Sequence, residues 1–337
     1  MNSLSEFIDA LGATSVWTYV ALFLAASVLM IWRLDALLKQ GLDGTALGTL
    51  VMPYCSGLGN LLFVAIIAGK GGPAQEVLTN CIVNNVTNLT VVLGLPAILW
   101  GLRVQGQTSR KKRTGRAAGK ADVSGQLDRL ALLLSLAAVL FFGGVTWALA
   151  SDGVLDRRDG TVLIALFLFW QCFQVFDVLK HNVRERRSFR ARFYLDLLVV
   201  ALGAYALYVS IDWLVTWVSA QRAGFVSAAN MGWLSGWLMV LPNALLACYY
   251  AARQRGDVVY ASQIGDGHIC IPLCLGLIAL VQPVSIPAFF QTGLLIFTGA
   301  ALVHVLAIML ASGLPRLMGW PLLFAYGWFV AAGFSNF

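Results

Sequence analysis

"GLGNLLFVAIIAGKGGPAQEVLTNCIVNNVTNLTVVLGL", Gly57 to Leu95, carries Asn80, Asn84, Asn85 and Asn88 inside a run otherwise apolar enough to cross a bilayer. A primary amide has two N–H donors and a carbonyl with two lone pairs, and leaving them unpaired in hydrocarbon costs several kcal/mol. A second stretch follows the same plan: "VLPNALLACYYAARQRGDVVYASQIGDGHICIPLCLGL", Val240 to Leu277. Each has Asn early in one apolar segment, then an Ala-rich stretch, a Gly-containing turn, a polar cluster and a closing LGL. Asn60 and Gly94 are 34 positions apart, Asn243 and Gly276 are 33 apart, and the longer turn "GKGGPAQE" accounts for the extra residue.

The surroundings of both stretches are membrane-like. Of 337 residues, 59% are hydrophobic and only 12% are charged, about half the share of a soluble domain. Long apolar segments point to helices, since a β-barrel would show short alternating strands. The expected fold is all-α and integral to the membrane. Ten spans are expected near 16–32, 44–69, 75–102, 127–150, 160–180, 193–217, 229–252, 258–281, 285–310 and 315–334, each long enough for roughly 30 Å of hydrocarbon. The polar start, Met1 to Ser15, has Glu6 and Asp9 but no Lys or Arg, unlike a secretory signal.

Loops after odd-numbered spans hold 19 of the 23 Lys and Arg residues, from Arg33 to Arg316; the other side has Lys70, Arg157, Arg158 and Arg222. The positive-inside rule then puts both termini outside the cytoplasm, in a multi-pass protein of the cell (inner) membrane. The net charge of +7 is explained by these loops, so no nucleic-acid partner is expected. The bilayer is the first partner, and "SRKKRTGRAAGK" and "KHNVRERRSFRAR" are either solvated topogenic loops or contacts for anionic lipid.

The two matched stretches fall on spans two and three and on spans seven and eight. An offset of five helices reverses their orientation, so the expected organisation is two inverted five-helix repeats, 1–179 (signature 53–95) and 180–337 (signature 240–277). Inverted repeats of this kind occur in secondary transporters, with the site at mid-membrane where the copies meet.

At these residues the chain resembles the cation/calcium exchanger superfamily, whose two repeats read GTSLPEL, a turn, then GNxxGSNxFN and LGL. The preceding "RLDALLKQGLDGTALGTLVMPYCSGLGN" is also similar. The resemblance implies a ten-helix antiporter with an ion site between the repeats. It places the family's glutamates on Asn60 and Asn243, with the proline before the second kept as Pro242. The hydroxyl pair falls on Ser56 and Gly57, and on Met239 and Val240. The GSN triplet falls on Val83, Asn84 and Asn85, and on Gly265, Asp266 and Gly267. Asn88 and Cys270 take the motif's last polar position, and Asn80 matches Ser262.

Both glutamates are therefore replaced by amides. Calcium prefers six to eight oxygens and binds more tightly as charged ligands are added. Asn60, Asn84, Asn88 and Asn243 offer neutral oxygens, and Asp266 adds one carboxylate. One negative charge balances Na⁺, K⁺ or H⁺ and leaves Ca²⁺ under-neutralised. An intramembrane carboxylate is by itself a functional-site candidate. Ser56, Asn80, Asn85, Ser262, Gln263 and Cys270 are the supporting candidates, with Gln263, Asp266, Cys270 and Cys274 on one helical stripe. His268 and His304 read as packing or hydrogen-bonding residues.

The expected activity is secondary cation antiport by alternating access, with no cofactor beyond the transported cation and no enzymatic chemistry. There is no P-loop, no HExxH and no nucleophile paired with a base. Three alternatives stay open: a neutral or organic solute on the same fold, a transport-dead sensor or scaffold, and a softer metal held by the cysteines. Gluing of helices is the competing role for any single asparagine.

Overall fold

The computed structural model describes residues 15–37, 57–104, 116–182 and 191–334. Ten apolar segments follow in order. They are α1 (Ser15–Leu37), α2 (Leu58–Lys70), α3 (Ala74–Trp100), α4 (Arg116–Leu149), α5 (Arg157–Asn182), α6 (Ala191–Ala220), α7 (Met231–Ala252), α8 (Gly256–Val281), α9 (Phe290–Ala311) and α10 (Gly319–Phe334). Among the described residues nine helices are long and apolar enough to span a membrane, and α2 is a shorter apolar one. The remainder of the second expected span lies outside the described residues. The helix of α4 starts well before the span expected from 127, because "RAAGKAD" is rich in helix formers even though it is polar.

Two of the helices are central. The apolar windows of α3 and α8 are 78% buried, against 22–56% in the other spans, so these two form the axis around which the rest pack. Val77, Leu78, Ile82, Val83 and Val86 of α3, and Ile264, Ile269, Ile271 and Leu275 of α8, belong to one core. Phe169, Leu310 and Phe324 are exposed on outward faces, where hydrocarbon would be the solvent.

Neither central helix is regular. Each contains a π turn immediately before its LGL, Asn88–Val92 in α3 and Ile269–Cys274 in α8. In α8 the turn holds Pro272, which lacks an N–H and would clash with the carbonyl four residues back in a regular helix. In α3 side chains compete for the backbone instead. Asn85 Nδ2 donates to Cys81 O at 2.7 Å, Thr87 Oγ1 to Val83 O at 2.6 Å, and Thr90 Oγ1 to Val86 O at 2.5 Å. The turn between α2 and α3 closes on Gly71 (φ 64°), with Gly72 N–H bonded to Ile67 O at 2.9 Å, a left-handed helix stop that glycine takes without strain.

Exchanging α1–α5 with α6–α10 maps the packing onto itself. The pairs α3·α7 and α8·α2, α8·α5 and α3·α10, and α9·α3 and α4·α8 are all in contact. Two short antiparallel ladders obey the same exchange: β1 (Leu102–Arg103) pairs with β4 (Gly313–Leu314), and β2 (Val154–Leu155) with β3 (Val284–Ser285). So do the glycines of the LGL motifs. A methyl group on Gly94 would fall 3.2 Å from Gly319 O, one on its counterpart Gly276 would fall 3.1 Å from Gly160 O, and one on Gly160 would fall 2.8 Å from Gly276 O. Each LGL glycine thus lets the backbone of the last helix of the other half approach closely, the familiar use of small residues between membrane helices. The α1·α6 pair stands to one side, joined by stacked Tyr19 and Trp213 rings 4.2 Å apart and by an Arg33–Asp196 ion pair at 3.0 Å.

Candidate functional site

Five side chains from four helices meet where α3 crosses α8. Asn60 comes from α2, Asn84 and Asn88 from α3, Asn243 from α7 and Asp266 from α8; none is more than 3% exposed. Asn243 Nδ2 and Asn88 Nδ2 both donate to Asp266 Oδ2, the latter at 3.2 Å. Asn88 Nδ2 also lies 2.9 Å from Asn84 Oδ1, and Asn84 Nδ2 reaches Asn60 Oδ1 at 3.5 Å, the long limit of a hydrogen bond. Cys270 Sγ points at Asn84 Oδ1 from 3.9 Å.

Two contacts of the cluster follow the exchange of halves. Asn84 meets Asn60 where Asp266 meets Asn243, and Asn88 donates to Asp266 where Cys270 donates to Asn84. All five leading sequence candidates are therefore brought together, with Cys270 beside them.

The supporting candidates divide. Asn80 turns to α7, where its Nδ2 donates to Ser235 Oγ at 3.0 Å, so it joins helices and does not touch Asp266. Asn85 is bonded to its own helix at Cys81 O. Gln263 Nε2 reaches Ser262 Oγ at 3.4 Å, while its buried Oε1 has no hydrogen-bond partner among the described residues. Ser56 lies outside the described residues, as does Cys55. Of the cysteines, Cys81, Cys270 and Cys274 are buried and Cys248 is half-buried. Among the described residues no three His, Cys, Asp or Glu side chains form a group that could hold a metal ion. A cation here would meet amide oxygens and one carboxylate among the described residues.

Among the described residues Asn88 Oδ1 also has no hydrogen-bond partner although it is buried, a condition that costs about 1–3 kcal/mol. It is an acceptor beside the carboxylate, which is the chemistry a cation uses. Of the residues on the approach, the sequence pointed only to Met239 and Pro242. A cleft lined by Phe23, Ser27, Met30, Leu207, Met239 and Pro242 opens onto Asn60 and Asn243 and has a volume of ≈ 30 Å³. One water-sized sphere needs about 10–15 Å³ by this measure, so the cleft has room for about two such spheres. Apart from Ser27 and Pro242 these residues are apolar and look like any lipid-facing residue in the sequence.

The fold defines a multi-pass membrane protein with a buried amide–carboxylate cluster at its centre. The sequence matches the sodium/calcium exchanger protein family over residues 12–176. Solved structures of the sodium-calcium exchanger NCX_Mj share the fold over nearly the whole chain. The form soaked with 2.5 mM Na⁺ and 1 mM Sr²⁺ has a TM-score of 0.65 at 17% identity, covering 94% of this chain and 96% of that one. The form soaked with 10 mM Na⁺ and 10 mM Sr²⁺ also gives 0.65, at 18% identity over 94% and 97%. No curated protein matches in sequence. The chain is thus similar to the sodium/calcium exchanger family in sequence over residues 12–176 and shares the fold of a sodium-calcium exchanger over nearly its whole length.

Proposed function

We propose that this protein is a secondary antiporter that carries a monovalent cation or a proton on Asp266. Asn60, Asn84, Asn88 and Asn243 replace part of the ion's hydration shell. The observation that carries this reading is the charge of the cluster: one carboxylate among four amides. A single positive charge is balanced there, whereas Ca²⁺ would leave a net positive charge in a buried, low-dielectric site. The unpartnered Asn88 Oδ1 supports the reading, because a cation gives that oxygen a partner.

Alternating access follows from the division of the chain into inverted repeats, 1–179 and 180–337, with the site built from both. The mirrored packing, ladders and π turns support that division. The protein resides in the cell (inner) membrane with both termini outside the cytoplasm, as the Lys and Arg distribution requires. Anionic lipid at the basic loops belongs to the same reading, although residues 105–115 and 183–190 lie outside the described residues.

The test is flux in proteoliposomes under imposed Na⁺, K⁺, H⁺ and Ca²⁺ gradients. A Na⁺, K⁺ or H⁺ flux that disappears in Asp266→Asn is the expected result. A flux untouched by that substitution, or no ion flux under any gradient, would remove the reading.

A further inference from the structure

A second buried polar chain touches the site from behind. His304 Nε2 of α9 lies 2.7 Å from the carbonyl oxygen of Leu89, and the Tyr260 hydroxyl of α8 lies 3.2 Å from His304 Nδ1. Tyr260 and His304 are fully buried, and their rings meet edge to face with centroids 5.4 Å apart. A backbone carbonyl can only accept, so Nε2 carries the ring proton; Nδ1 then accepts from the Tyr260 hydroxyl. Both ring nitrogens are committed.

The residues they are committed to carry the argument. Leu89 follows Asn88 directly and sits in the π turn of α3. N–H groups in such a turn reach five residues back, so a carbonyl is left over where the register changes from four. Elsewhere on α3 the side chains of Asn85, Thr87 and Thr90 bond backbone carbonyls of their own helix. Leu89 O takes its donor from another helix. Tyr260 in turn lies on the helix that presents Asp266. The chain therefore ties the helix of the amide to the helix of the carboxylate through α9.

We infer that His304 is a positioning residue: it holds the Leu89 carbonyl and so fixes the π turn that aims Asn88 Nδ2 at Asp266 Oδ2, while Tyr260 fixes the imidazole. The inference rests on the proposed role of Asn88 and Asp266 in cation binding. A residue that only filled space between α8 and α9 would need neither nitrogen placed.

The experiment is infrared spectroscopy of the full-length protein in lipid bilayers, in choline buffer without metal ions. The Asp266 carboxyl band is assigned as the one that Asp266→Asn removes, and Asn88→Leu gives the shift caused by losing the amide. His304→Leu is expected to move the band in the same direction, and His304→Gln, whose side-chain amide can still donate to Leu89 O, is expected to return it. Where the native protein transports, His304→Leu also raises the half-saturating cation concentration about tenfold, as loss of an outer partner does at metal sites, and His304→Gln stays within about threefold. If His304→Leu does not fold, Tyr260→Phe removes one hydroxyl only and is expected to move the band by a smaller amount in that direction. A band unmoved by His304→Leu or by Tyr260→Phe, or moved equally by His304→Gln and His304→Leu, overturns the inference. So does a band unmoved by Asn88→Leu, because the aimed contact would not exist. Absence of cation flux in native vesicles is a separate result: it removes the transport reading and leaves the spectroscopic one standing.

Discussion

In the first half of the chain the polar positions of α3 facing the site are amides, Asn84 and Asn88, and the sequence there matches the family directly. In the second half the corresponding positions of α8 hold Asp266 and Cys270, and the family match stops before reaching them. Yet the backbones agree: each central helix carries a π turn before an LGL, and each LGL glycine meets the last helix of the other half. Geometry is shared between the halves, and charge is concentrated in one. Among the described residues the cluster is two-sided in geometry and has its one carboxylate on the side of the second half.

Experiments that disturb one half and spare the other sharpen this comparison. The largest expected effect is Asp266→Asn. Unit charges 4 Å apart attract by about 4 kcal/mol at an effective dielectric of 20, so cation affinity should fall roughly a thousandfold in a binding titration. Next comes the matched pair Asn243→Ala and Asn60→Ala. Asn243 donates to a carboxylate, worth about 1.5–3 kcal/mol, while Asn60 accepts from a neutral amide at 3.5 Å, worth at most about 1 kcal/mol. The half-saturating cation concentration should therefore rise at least about tenfold in the first and under about fivefold in the second. Equal effects would break the claim that the halves differ in charge.

Smaller still is the glycine pair. Gly160→Ala and Gly94→Ala should each lower stability by about 1–3 kcal/mol, read as a drop in Tm in detergent. The drop should be larger for Gly160, where the added methyl comes closer to backbone. The smallest is Asn80→Ala, which removes the bond to Ser235. It should cost about 0.6 kcal/mol of stability and leave the half-saturating cation concentration unchanged.

Much of the fold was legible because membranes constrain sequences severely. Apolar length marked the spans, Lys and Arg marked the expected sides, and the matched stretches related one half to the other. The site was legible in part for the same reason: Asn60 and Asn243 hold the same place in both copies. Asn80 read as part of one stripe with Asn84 and Asn88, but residues four apart advance about 40° around a helix of 3.6 residues per turn. Over two such steps Asn80 has turned far enough to face α7. The π turns left no signal in α3, where no proline marks the irregularity, and they decide where Asn88 points. The His304 contact with Leu89 O was equally hidden, since it joins a side chain to a backbone atom more than 200 residues away.

The most direct test places a second carboxylate where the first half has an amide. Uptake of ⁴⁵Ca²⁺, ²²Na⁺ and ⁸⁶Rb⁺, and of H⁺ by an internal dye, is measured in vesicles containing the native protein or Asn84→Asp, the position matched to Asp266. A monovalent cation or proton flux without Ca²⁺ uptake in the native protein, and Ca²⁺ uptake in Asn84→Asp, is what a single-carboxylate site predicts. Ca²⁺ uptake by the native protein, not enhanced by Asn84→Asp, would contradict it.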